Sequence, residues 1–265
     1  MKKNWSKIVL IVILVLMVAI IGYLIYGYAK KANEKKQNPV VTMEIQDYGT
    51  VKMELYPDIA PNTVANFVKL INNGYYDGLT FHRVVEGFMI QGGDKKGDGT
   101  GSVNLKDLYP DIKTEDDKEY AIPGEFIANN YTKNTIRFER GVLAMARADY
   151  SNLSSSLRTA GYNSAGSQFF IMVDENSSLN GLYAAFGRVT EGMDIVDKIV
   201  ALETETKTDS NGNESKGDKP VNPPVISKMT VDTFGVDYGN PTTQDAFDYT
   251  SWIMQNYGSG LNLQQ

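Results

Sequence analysis

The sequence contains no cysteine and only one histidine. The first absence excludes disulfide staples, thiolate catalysis and a lipid anchor carried on a lipobox cysteine. The second excludes a zinc centre built from several His or Cys ligands, so no metal and no cofactor is expected. Nor is there a basic surplus. The net charge is −6, and residues 1–36 hold seven lysines against one glutamate, or +6, which leaves −12 on the remainder. An acidic globular part argues against nucleic-acid partners, which need a basic face. Internal repeats are absent too. What is present is the composition of an ordinary globular protein, 42% hydrophobic and 22% charged. A chain of 265 residues holds one sizeable domain plus extras.

The one long apolar run lies at the N-terminal end. Ile8 to Ile21 is unbroken, and Gly22 to Tyr28 continues it with aromatics. About 20 helical residues at 1.5 Å each span about 30 Å, the thickness of the hydrocarbon core. Trp5, Tyr23, Tyr26 and Tyr28 stand where interfacial aromatics collect. Residues 1–30 therefore read as a transmembrane anchor. A cleaved signal peptide is the alternative, since Gly27-Tyr28-Ala29 passes as a cleavage site. Lysines flank both ends, so the charge rule does not orient the span; the short cationic tail favours an extracytoplasmic domain. Residues 31–39 form a polar linker.

Beyond the linker, Thr42–Gln46 and Val51–Leu55 alternate apolar with polar around a short turn, which predicts a hairpin. Pro61 opens a helix whose Val64, Phe67, Val68 and Ile71 make an apolar stripe, and Gly74 follows it as a stop. Met193, Val196, Ile199 and Val200 mark a second amphipathic helix. Thr204 to Lys219 reads as a solvated loop, Val225 to Phe234 as a closing strand, and Thr243 to Tyr257 as a short helix. Gly97-Asp98-Gly99-Thr100-Gly101 lacks the ending of a phosphate cradle. Asp94, Asp98 and Asp107 do not have the spacing of a calcium loop. Tyr162 to Gly166 misses the first glycine of a serine-hydrolase elbow.

The most informative stretch is Tyr75 to Asp94, YYDGLTFHRVVEGFMIQGGD. Two half-buried strand patterns flank a turn at Gly87 and leave Arg83, Phe88 and Gln91 pointing one way. One cation, apolar bulk and one amide, with no paired base or nucleophile, suit an uncharged group that needs a hydrogen bond and an oily socket. Three further blocks follow in order: Gly141 to Ala146, Gly166 to Ile171, and Leu179 to Gly181 with Phe186 to Val189.

Together these blocks resemble the cyclophilin-type peptidyl-prolyl isomerases, in a bacterial, membrane-anchored form, over residues 40–235. Insertions fall at about 95–138 and 149–165, and 236–265 is a C-terminal extension. The resemblance implies a mainly β fold, a closed antiparallel barrel capped by two helices, and isomerisation of X-Pro bonds in polypeptides. It assigns catalysis to Arg83, Gln91 and Phe88. It assigns substrate contacts to His82, Met89, Ala146, Gln168, Phe170, Leu179 and Tyr183. His82 is also expected to be a hydrogen-bonded structural residue, and Ile122 to Phe126 to resemble the strand before the Gly141 block. Two departures stand out. Ser178 replaces a tryptophan of animal members, so tight cyclosporin binding is not expected; Arg147 replaces the asparagine that usually follows Ala146. A module that grips proline segments without turnover is the alternative activity.

Overall fold

The computed structural model describes residues 2–33, 37–150, 153–209 and 212–257. Part of the linker (34–36), two positions of the second insertion (151–152), two of the expected loop (210–211) and the last eight residues of the extension lie outside the described residues. The chain divides into two compact units, Met1–Gln37 and Asn38–Gln265.

The first unit is one helix, α1 (Lys2–Asn33). Within it Lys7–Tyr26 is long and apolar enough to cross a membrane, and its apolar side chains from Ile8 to Ile25 are exposed. A helix apolar on all sides lacks the polar face that would suit it to water.

The second unit begins with the expected hairpin, β1 (Val40–Ile45) and β2 (Gly49–Leu55), whose inward positions alternate with outward ones. Next comes α2 (Pro61–Asn72). Its stripe residues Val64, Phe67, Val68 and Ile71 are all buried, and Phe67 packs edge-on against Phe169 and Phe186. The helix begins at Ala60 and Pro61, neither of which can cap it. Its orphan donors are met from a distance: buried Glu125 accepts from the backbone N–H groups of Asn62 and Thr63 and from the Thr63 hydroxyl.

Then follow β3 (Thr80–Val85) and β4 (Met89–Asp94), joined by a turn in which Gly87 takes φ +68°. The first insertion holds α3 (Leu105–Leu108) and β5 (Tyr120–Ala121). After β6 (Val142–Met145), the second insertion holds α4 (Arg158–Tyr162). β7 (Phe169–Met172), β8 (Ala185–Glu191) and α5 (Met193–Val200) lead to β9 (Thr204–Thr208), β10 (Glu214–Pro220) and β11 (Ile226–Asp232). The extension adds β12 (Gln244–Asp245) and α6 (Tyr249–Tyr257).

Eight strands form one sheet in the order β11-β1-β2-β8-β6-β7-β4-β3, with each neighbouring pair antiparallel. The expected closed barrel is corrected to a curled half-barrel. Among the described residues its edge strands meet only at the Thr80–Val225 bridge and neighbouring backbone bonds. Continuing the antiparallel ladder from that bridge would call on Pro224 and Pro223, which have no N–H to donate.

Two further expectations are corrected. Thr204 to Lys219 is not a loop but the β9–β10 hairpin. The strand expected at Ile122–Phe126 is a single bridge from Ile122 to Ala165, and the paired strand β5 lies just before it. β5 pairs with β12, so the C-terminal extension is tied to the first insertion by a ladder.

Strand alternation gives the sheet two apolar faces. Leu143, Phe169, Ile171 and Phe186 point into the main core with α2 and α5. Val142, Ala144, Phe170, Met172 and Ala185, one residue out of step with them, build a smaller cluster on the other face with Met89 and Phe138.

Candidate active site

The strand register assembles the site. Arg83 on β3 lies opposite Gln91 on β4, Gln91 opposite Phe170 on β7, and Phe170 opposite Ala144 on β6. One row across four strands thus carries a cation, an amide and an aromatic ring over the smaller apolar cluster. Phe170 stacks on Phe138 at 6.0 Å and meets Tyr183 edge-on at 5.7 Å. Of these rings Phe170 and Tyr183 line a cavity of about 250 Å³, and Phe138 backs them. Phe88 and Met89 enter it from the β3–β4 turn, Leu179 from a short 3-10 turn at Ser177–Leu179, and Ala146 from the end of β6. Arg83, Gln91 and Arg147 complete the lining.

The polar groups form a chain. Arg83 donates from Nε to Asp218 at 3.1 Å and from Nη1 to Gln91 Oε1 at 3.4 Å. Gln91 donates to Gln168 Oε1 at 2.9 Å, and Gln168 to the carbonyls of Gly99 and Gly101. Gln91 is therefore fixed with its oxygen toward the guanidinium. The 95–101 loop that receives Gln168 is itself anchored by buried Asp94, which accepts from the backbone N–H groups of Lys96, Asp98 and Gly99.

A second, more polar cavity of about 310 Å³ adjoins the first and shares Gln91, Ala146 and Arg147 with it. Gln168 lines this second cavity rather than the first. Its far wall comes from both insertions and, through Phe247, from the extension. Arg147 forms the partition. Its guanidinium carbon lies 4.4 Å over the Tyr183 ring and 5.0 Å over Tyr162, and its Nε and Nη1 donate to the Leu182 and Ala148 carbonyls. The residue that departs from the usual asparagine is thus packed as a rigid wall.

Of the ten residues singled out in the sequence, eight line the first cavity: Arg83, Phe88, Met89, Gln91, Ala146, Phe170, Leu179 and Tyr183. His82 lines neither cavity. It is buried, and neither ring nitrogen makes a hydrogen bond of standard geometry. The expected hydrogen-bonded histidine is left with no more than a weak contact to the Thr80 backbone. Burial lowers its pKa below the usual imidazole value, only partly offset by the nearby Asp94 carboxylate. Asp218 is the site residue that sequence reasoning missed; a charged, glycine-containing segment gave no sign that it would fold back onto β3. Among the described residues no cluster of His, Asp or Glu could hold a metal ion.

A curled mainly β sheet with an arginine and a glutamine over an aromatic socket defines a class, and comparison with known proteins says which. The family model for "Cyclophilin type peptidyl-prolyl cis-trans isomerase/CLD" matches residues 40–231, and the chain belongs to that family. A "Probable peptidyl-prolyl cis-trans isomerase" of Brucella suis is 36% identical over 217 residues, covering 78% of this chain and 89% of the relative. "Peptidyl-prolyl cis-trans isomerase B" of Bacillus subtilis is 40% identical over 150 residues, 57% of this chain and 82% of the relative. A Cryptosporidium parvum cyclophilin-type isomerase crystallised with the dipeptide Ala-Pro superposes with a TM-score of 0.53 at 27% identity, covering 73% and 98%.

Proposed function

We propose that the chain is a peptidyl-prolyl cis–trans isomerase, tethered to a cell membrane by α1, that speeds the folding of exported polypeptides on the extracytoplasmic side. The observation that carries the activity is a guanidinium held in the lining of a cavity of about 250 Å³, beside the side chains of Phe88, Met89, Phe170, Leu179 and Tyr183.

The chemistry follows from the peptide bond. Rotation is opposed by about 18–20 kcal/mol because the nitrogen lone pair is shared with the carbonyl. Before proline the two isomers are close in energy but exchange in tens to hundreds of seconds. No bond need break. As the imide twists, its nitrogen regains the lone pair and becomes an acceptor. A guanidinium always charged at physiological pH, with donors left over, binds that twisted state more strongly than either planar one. Removing about 5.5 kcal/mol of the barrier gives about 10⁴-fold. In this reading Phe88, Met89, Phe170, Leu179 and Tyr183 hold the ring. Gln91 orders Arg83 and the substrate backbone, Ala146 and Gln168 border the path of the flanking residues, and His82 supports β3 from behind. Cyclosporin binding is expected to be weak, since Ser178 offers an exposed hydroxyl already donated to Asn176 where animal members have an indole.

A proline-binding module without turnover makes a different prediction in one assay. The full chain in detergent, added at catalytic amounts, should accelerate cis-to-trans exchange of a short X-Pro peptide. Peptide binding with no acceleration would leave only the binding module.

A further inference from the structure

The β9–β10 hairpin lies outside the core of eight strands, yet it reaches Arg83. Asp218 accepts from Nε at 3.1 Å. Lys216 of the same strand pairs with Glu86 in the β3–β4 turn at 3.5 Å, a second tie between hairpin and site. The backbone is shaped for this reach. Pairing of β10 with β9 is regular to Lys216↔Thr206, breaks, and resumes at Pro220↔Thr204. Three residues on one strand thus face one on the other, and such bulges re-aim side chains. Gly217 sits at the break; a Cβ there would lie 2.4 Å from the Glu205 carbonyl oxygen, so only glycine permits the close approach. The next residue is Asp218.

We infer that Asp218 is a positioning residue for the isomerisation, and that the hairpin exists in part to hold the Arg83 guanidinium in its working orientation. An arginine side chain is long and loses much rotational freedom when fixed. Here Nε is held from the hairpin and one Nη1 hydrogen by Gln91. The other Nη1 hydrogen and both on Nη2 have no acceptor among the described residues. The planar fork is thereby oriented before substrate arrives, so less is spent on orienting it as the imide twists. Asp218 lines neither cavity, so it acts through Arg83 and not on the substrate.

This inference rests on Arg83 being the catalytic cation, and the test separates the two. Steady-state kinetics on a neutral X-Ala-Pro-Phe peptide would be run on the full chain, Asp218→Ala, Asp218→Asn, Arg83→Ala, the double variant, and Lys207→Ala as a control for Asp218's other neighbour at 3.8 Å. Asp218→Ala should lose about 10-fold in kcat with little change in KM, between the few-fold of an exposed ion pair and the 100-fold of a displaced catalytic group. Asp218→Asn, which keeps an oxygen acceptor, should recover part of the loss, and Lys207→Ala should match the parent. The double variant should be no slower than Arg83→Ala. Thermal melts of each variant establish that it is folded. Wild-type kcat in Asp218→Ala, a loss confined to KM, or an equal further loss on top of Arg83→Ala would overturn the inference. Parental activity in Arg83→Ala would instead overturn the reading of Arg83.

Discussion

His82 and Arg83 are neighbours in sequence with opposite surroundings: the guanidinium lines the cavity, while the imidazole is buried without a standard hydrogen bond. Alternation along β3 separates them, and that much is legible from the pattern. The missing partners of His82 are not, because they depend on which atoms the 95–101 loop brings overhead. A Cβ on Gly99 would come within 3.8 Å of the ring. The lowered pKa has a consequence for stability. The folded state favours neutral His82, whereas the unfolded chain takes up a proton near the usual value of about 6.5. Its contribution is therefore complete above that value. It is lost as pH falls from about 6.5 toward the lower folded pKa. Thermal melts from pH 8 to 5 should show a fall in Tm that is shallower in His82→Gln; identical slopes would refute it.

At the scale of elements, the periodic helices and the first hairpin could be read directly, because a one-residue error would have turned their apolar sets to water. The partners of short or polar elements could not. The start of α2 looks uncapped in sequence, since its acceptor Glu125 is more than sixty positions away. Glu125→Ala should leave two backbone donors and a hydroxyl without their acceptor and lower stability by about 1–3 kcal/mol. Chemical denaturation would measure it, and a loss below about 0.3 kcal/mol would contradict the capping role. The β9–β10 hairpin was equally hidden. Its strands are mostly exposed and charged, so nothing in their hydrophobic pattern distinguishes them from a loop. The two-residue strands β5 and β12 carry no periodic signal at all, although they join the first insertion to the extension.

For the whole molecule, four ordered sequence blocks identified the family, while closure of the sheet was expected from resemblance alone and was wrong. Pro223 and Pro224 stood in the sequence as the reason, but their meaning depended on knowing which edges would meet. The exposed apolar helix carries a separate prediction. The full chain should stay in the membrane pellet through alkaline carbonate washing, and a chain lacking residues 1–37 should not; release of the full chain into the soluble fraction at its full mass would contradict the anchor.

The central claim is that a fixed guanidinium lowers the barrier of a twisting imide. The most direct measurement is kcat and KM of Arg83→Ala against the parent chain on one X-Pro peptide, with both proteins verified as folded. The account predicts a fall in kcat of about 100-fold or more, the cost of removing a donor aimed at developing charge, with KM little changed. An unchanged kcat, or a loss carried wholly by KM, would contradict it.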